Sequence, residues 1–264
     1  MVEKIKERQI VGVICTLLVS SCLLLAPTAH AQDESPPNVA DLWIITVDDF
    51  PNSTAFEVAF KTHLAARKAA GDPRNWQTYT VVAGDEMDTY GVHYCCFKWA
   101  DADAYAEWTQ SSGILDHWNE HVAQHVDHYS HHFQIFDHDN STWLGDPTDY
   151  RYFGVTSWRL KPGTAGTRQA AIKALSDVGK EHGWSLPWSW NSSVGGDAVL
   201  SLVTPYANFA AMEPPEQSFY EFAAEHLGAE ETARLFNDFG SSFLSSEYAI
   251  FERRPDLSMS DGED

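Results

Sequence analysis

The chain has 264 residues, with 38 acidic against 17 basic side chains and a formal net charge of −21. So acidic a surface argues against nucleic acid or an anionic membrane as partner. With 44% hydrophobic and 13% aromatic residues, there is material for one large domain or two small ones with cores of ordinary size.

The first 31 residues read as a secretory signal. Lys4, Lys6 and Arg8 open it, an apolar run extends from Ile10 to Leu25, and Ala29-His30-Ala31 offers a small-x-small cleavage site before Gln32. A membrane anchor is the alternative, but the run is short and broken by Ser20, Ser21 and Pro27. Acylation at Cys22 fits less well, because Leu-Leu-Leu-Ala follows it. The expected location is periplasmic or secreted, with no membrane contact after cleavage. Cys15 and Cys22 leave with the signal. Cys95 and Cys96 remain, side by side on a predicted strand and pointing to opposite faces. That excludes a disulfide framework and predicts two buried thiols.

Residues 32–40, with Pro36-Pro37, form a polar leader. Leu42–Val47 is a predicted strand by its β-branched and aromatic content. Ala55–Ala70 has apolar residues at helical spacing and is ended by Gly71-Asp72-Pro73. Strands follow at Trp76–Ala83 and Val92–Trp99, a short helix at Ala102–Gln110, a second helix from Gly113 and a strand at Phe133–Phe136. Residues 41–138 thus read β-α-β-β-α-β. Residues 139–151, with Gly145 and Pro147, are a linker. The same order then recurs over 152–253: strand Phe153–Leu160, helix Ala165–His182, strands Pro187–Ser193 and Ala198–Val203, helix Phe219–Phe239 and strand Tyr248–Phe251. Residues 254–264 read as an acidic tail. The halves also match residue by residue at an offset of about 115, the mark of an internal repeat. Trp43 pairs with Trp158, Tyr105 with Tyr220, Gly113 with Gly228, and Phe133-Gln-Ile-Phe136 with Tyr248-Ala-Ile-Phe251.

Two such units in tandem resemble the dimeric α/β-barrel superfamily over roughly residues 41–253. That resemblance implies an α+β fold in which two tandem ferredoxin-like βαββαβ units form an intramolecular α/β barrel. The superfamily includes cofactor-free antibiotic-biosynthesis monooxygenases, haem-degrading monooxygenases, chlorite dismutases and small isomerases. One segment, Tyr105-Ala-Glu-Trp108-Thr-Gln-Ser111 leading to His117, is similar to the aromatic-x-x-Trp-x-x-Ser…His stretch of haem-degrading monooxygenases. The similarity implies that Trp108 presses on a haem and His117 ligates its iron. The spacing here is one residue shorter, so His117 and Trp118 compete for the ligand's position. The second half has Ala223 and Thr232 at these places, so an implied site exists once, in the first half.

Gly113 to His138 holds seven of the twelve histidines. As one helix it would place His117, His121, His125, His128 and His132 in a stripe beside Leu115, Trp118, Val122, Val126, Tyr129 and Phe133, giving way near His131. Histidines one turn apart can chelate a divalent cation, which makes His117, His121 and His125 the candidate metal ligands; a solvated, weakly basic face is the plain alternative. Trp76, Tyr79, Tyr105, Trp108 and His121 are candidates to line a pocket for a flat apolar ligand, with His93 or His117 as a base. A packed core without a cavity is the competing reading.

Three functions remain open at this stage. The first is a secreted or periplasmic protein binding a small apolar or aromatic ligand. The second is a monooxygenase, haem-dependent or cofactor-free. The third is a divalent-metal-binding protein. Haem or a divalent metal would serve the latter two, and no cofactor is the default. The chain is expected as a monomer or homodimer.

Overall fold

A computed structural model describes residues 35–47, 53–143 and 146–259; the expected signal lies outside them. The strands are β1 Val39–Thr46, β2 Gln77–Ala83, β3 Thr89–Phe97, β4 His128–Asp137, β5 Tyr152–Leu160, β6 Ser189–Val194, β7 Val199–Tyr206 and β8 Phe243–Arg253. The helices are α1 Ser53–Ala69, α2 Trp99–Ser111, α3 Ile114–His121, α4 Ala165–His182, α5 Phe219–Leu227 and α6 Ala229–Gly240.

All eight strands close into one barrel in the order β1-β3-β2-β8-β5-β7-β6-β4. It consists of two four-stranded antiparallel sheets of the same internal order, β4-β1-β3-β2 and β8-β5-β7-β6, joined by antiparallel pairing of β2 with β8 and β4 with β6. Closure leaves neither sheet with a free edge. The repeat survives in the register: Trp43 lies opposite His131 in the first half, and Trp158 opposite Ser246 in the second.

Alternation sorts each strand's side chains between helix side and lumen. Ile45, Val47, Tyr90 and Val92 pack with Phe56, Phe60 and Leu64 of α1 in the first core, and Trp43 borders them. Leu42 and Ile44 therefore face the lumen, together with His93 and Gly91 opposite them. In the second half, Ile172, Trp188, Trp190 and Leu200 form the sheet-side core, and Leu175, Val178, Phe222 and Leu235 join the helices to one another. Among the described residues no helix is long and apolar enough to cross a membrane.

Four expectations change. The histidine-rich stretch is not one helix: α3 ends at His121, a single 3-10 turn covers Ala123–His125, and β4 begins at His128. Its residues pair with β1 one for one, from Thr46↔His128 to Val39↔Ile135. Strand pairing over that whole length overrides the helical pattern. The predicted Phe219–Phe239 helix is likewise two, broken at Gly228 (φ 84°) as the first half is broken at Gly113 (φ 74°). Cys95 and Cys96 are not two buried thiols: Cys95 is exposed and Cys96 half-buried, at the bulge where β3 carries one residue more than β1.

Finally, the predicted tail begins as part of the first half. Thr78 donates from Oγ1 to the Leu257 carbonyl at 2.6 Å, and Met259 N–H to the Trp76 carbonyl at 2.8 Å. Arg254 forks onto Glu57 of α1, and the Leu257 side chain is 0% exposed. That guanidinium holds the Glu57 carboxyl below its ordinary range.

Candidate functional site

α1 carries Phe56, Phe60 and Leu64 toward the sheet at helical spacing, and His63 falls on the same stripe, 1% exposed. Its ring meets His117 of α3, Nδ1 to Nδ1, at 3.2 Å. Arg67, one turn further along α1, donates from Nε to His63 Nε2 at 3.0 Å. A guanidinium only donates, so His63 Nε2 is unprotonated and its proton sits on Nδ1. His63 donates that Nδ1–H to His117 Nδ1, which places the hydrogen of the His117 ring on Nε2. Burial, then the nearby Arg67 and His117, pushes His63 down to about 3. The chain of donors continues inward. Arg67 reaches Asp72 at 2.6 Å and the Tyr105 hydroxyl at 3.0 Å, and Trp76 Nε1 donates to Asp72 at 3.2 Å.

Arg74 extends this network across the sheet. Its guanidinium carbon lies 3.5 Å from the Tyr105 ring centroid and 4.4 Å from that of Phe97, and the group is ion-paired with Asp41 of β1. Both charges are buried. The other oxygen of Asp41 accepts from His131 Nε2 of β4 at 2.6 Å. His131 stacks on Trp43 at 4.2 Å and 11°. One buried network therefore runs from His117 to His131 through the core of the first half.

The second half lacks it. Val178 stands where His63 does, Thr156 where Asp41 does, and Ser246 where His131 does. Thr232 follows its helix-breaking glycine at the same interval as His117. The fold closes this layer with apolar and small residues in one half, so the buried charges of the other are not a requirement of folding. Burying them costs several kcal/mol per ion before pairing offsets it.

The predicted site residues divide between the two faces of the sheet. Trp76, Tyr105, Trp108, His117 and His121 lie together on the helix side: Trp76 to Tyr105 at 6.3 Å, Tyr105 to Trp108 at 5.5 Å, His117 to His121 at 4.5 Å between ring centroids. Tyr79 and His93 lie in the lumen, 6.4 Å apart, with Phe153 and Phe136 against them. Burial pushes His93 down to about 4 and raises the Tyr79 hydroxyl. A pocket between the His117 helix and Tyr79 and His93 would have to pass through the sheet, so that grouping is corrected.

The metal set is not assembled either. His125 lies in the turn beyond α3, and among the described residues no group of three or more His, Cys, Asp or Glu converges on one point. Haem does not fit these residues. A haem-ligating histidine donates its second N–H to a neighbour, whereas His117 Nδ1 receives a hydrogen from His63. Trp108 is stacked on Tyr105 with its Nε1 toward the Ala70 carbonyl, and Phe60, His63 and Trp118 fill the seam between α1 and α3. A shallow hollow of about 610 Å³ lies nearer the start of α1, bounded by Thr54, Ala55, Val58, Ala59 and His125.

Asp41, His63, Arg67, Arg74 and His131 escaped the sequence reading. His63 had a signal, a polar residue on the apolar stripe of α1 with Arg67 one turn on. Asp41 had another, breaking an otherwise apolar alternation with Val39, Trp43 and Ile45.

No sequence family matches the chain, and no curated protein matches it. Solved structures do. A provisionally named monooxygenase from Lactobacillus acidophilus NCFM aligns with 10% identity and a TM-score of 0.51, covering 86% of this chain and 98% of that one. What is shared is the fold, two tandem ferredoxin-like βαββαβ units closed into one α/β barrel. An anthrone oxidase-like protein aligns at 10% identity and TM-score 0.51 over 87% of this chain and 95% of its own. A chlorite dismutase variant from Candidatus Nitrospira defluvii, solved with cyanide, aligns at 7% identity and 0.50 over 84% and 93%. At such identities architecture is what is shared.

Proposed function

We propose that this protein is an exported small-molecule-binding barrel whose first half seats a flat apolar or aromatic ligand, with the second half as support. The observation that carries it is the asymmetry of the repeat: a buried polar network in one half where the other has Val178, Thr156 and Ser246. A ligand seat is the reason we assign to it. The hollow beside Ala55, Val58 and Ala59 has mostly apolar walls. Ala59 lies one helical turn from His63. His63 in turn meets His117, whose Nε2–H suits a carbonyl or phenol oxygen.

Likeness of fold to proteins named as a monooxygenase and as anthrone oxidase-like favours a second reading, in which the bound aromatic is oxidised by dioxygen without a cofactor. Both readings meet one experiment. The full chain is titrated with an anthrone, the matching quinone and an aliphatic control, following tryptophan fluorescence and oxygen uptake. Aromatic-selective binding, weakened about tenfold or more in His63→Val and His117→Ala, is the expected result. Oxygen uptake with the anthrone alone would add the oxygenase reading. Equal, weak response to all three compounds would reject the ligand seat.

A further inference from the structure

We infer that His131 is a general base on the outer face of β4, oriented by Asp41 and Arg74, for a flat aromatic ligand with an acidic phenol or a carbon acid beside a carbonyl. The inference takes its class of ligand from the reading above but puts the chemistry elsewhere, on the strand face and not in the α1 hollow.

The geometry fixes the ring. Asp41 Oδ1 accepts from His131 Nε2 at 2.6 Å, so the proton of the neutral imidazole is held on Nε2 and the free electron pair is on Nδ1. Asp41 is itself immobilised, its second oxygen paired with the buried Arg74, whose guanidinium is clamped between Tyr105 and Phe97. A buried carboxylate behind a histidine sets the tautomer and faces the imidazolium once it forms. His131 keeps a third of its side chain exposed while Asp41 keeps 6%, so the dyad opens to solvent at the base end only.

The surroundings are aromatic. Trp43 lies flat against the His131 ring. Tyr129 and Phe133 flank His131 on the same face of β4, spanning about 14 Å of strand. Phe133 lies 4.8 Å from His131 and 4.9 Å from Trp99 between ring centroids, and Tyr129 5.8 Å from Trp43. Tyr129 is 52% and Trp99 47% exposed. Such a row suits a fused two- or three-ring system lying against it. The second half shows that the strand pair does not need the dyad, since Thr156 and Ser246 occupy the same register in β5 and β8. The step is a proton transfer. The O–H or C–H bond of the ligand breaks, its electron pair stays on the ligand, and the N–H bond forms at His131 Nδ1. The charged groups packed about the ring are Asp41, and Arg74 behind it.

The test uses the full chain and a dihydroxyanthraquinone, whose absorption moves to the red when a phenolic proton is lost. Below the probe's own pKa, the wild type should bind it as the phenolate, lowering its apparent pKa by about one unit or more. His131→Gln should bind it in the neutral form with affinity within about threefold, and added imidazole should restore the red band in His131→Ala. His131→Ser, the residue of the second half at this register, guards against a folding artefact. A red band retained in His131→Gln and His131→Ser, or a wild type that binds only the neutral probe, overturns the base and leaves the aromatic-ligand reading standing. A wild type that binds no aromatic overturns both.

Discussion

Arg74 in the first half stands where Trp188 stands in the second. Stepping across the sheet from Trp43 to Val92 to Thr78, and from Trp158 to Leu200 to Ser192, puts Trp76 opposite Trp190 and, two residues earlier, Arg74 opposite Trp188. Both are flat groups inserted among aromatic side chains, one charged and one not. The charged one requires Asp41.

That dependence gives a double-mutant test. Asp41→Thr alone leaves a buried guanidinium without its carboxylate and should cost about 3–5 kcal/mol. Adding Arg74→Met, which fills the aromatic slot without charge, should recover most of the loss. Urea denaturation of the two singles and the double reads the coupling; additive losses would mean that the pair is not the unit proposed.

Acid should unfold the protein through its buried histidines. His63 is held at about 3 and His93 at about 4, against about 6.5 for an unfolded chain. Between those values the unfolded state binds more protons than the folded one, so stability is full above about pH 6.5 and falls as pH drops through the window. The slope is about 1.4 kcal/mol per pH unit for each group. Urea midpoints at about pH 7, 6 and 5 should decline in the wild type and decline about half as steeply in His63→Val. A flat wild-type profile would refute this.

Two glycines of α4 should respond oppositely to alanine. A Cβ at Gly166 meets nothing within 4 Å, and Gly166→Ala should stabilise by up to about 1 kcal/mol through helix propensity. A Cβ at Gly179 would stand 2.7 Å from Trp188 Cη2. There the overpacking, about 1–3 kcal/mol, outweighs the propensity gain. Gly179 takes the place that Leu64 holds in α1, and the indole fills the volume its missing side chain leaves. Thermal melts of the two variants should move in opposite directions.

Leu257→Ala should destabilise by about 2–5 kcal/mol, since a fully buried side chain leaves a cavity between α1 and the first sheet. The loss is read as a shift of urea midpoint. A neutral result would show that residues 254–259 do not belong to the first core.

The repeat and the barrel were legible because alternation in the strands and the stripe of α4 each point to one structure. Ala165–His182 was placed to the residue, between a Pro-Gly turn and a helix-ending glycine. Gly113 and Gly228 were matched as a pair, although only the first was read as a break. The histidines misled because His128-Tyr-Ser-His-His-Phe carries both periods, and only its pairing with β1 decides between them. The network escaped for a similar reason. Asp41, Arg74 and His131 are far apart in sequence, and nothing local to any one of them announces the other two.

The last strand and the residues after it settle onto the first half, and this bears on how the chain comes off the ribosome. β1 to β4 emerge early, yet β2 has no outer neighbour until β8 is made, and the carbonyl of Trp76 waits for the amide of Met259. The early half is held with an unpaired strand edge while more than a hundred residues are still to be translated. A message broken near its 3′ end would therefore release not a smaller working protein but one with an open sheet, apt to pair with another of its kind.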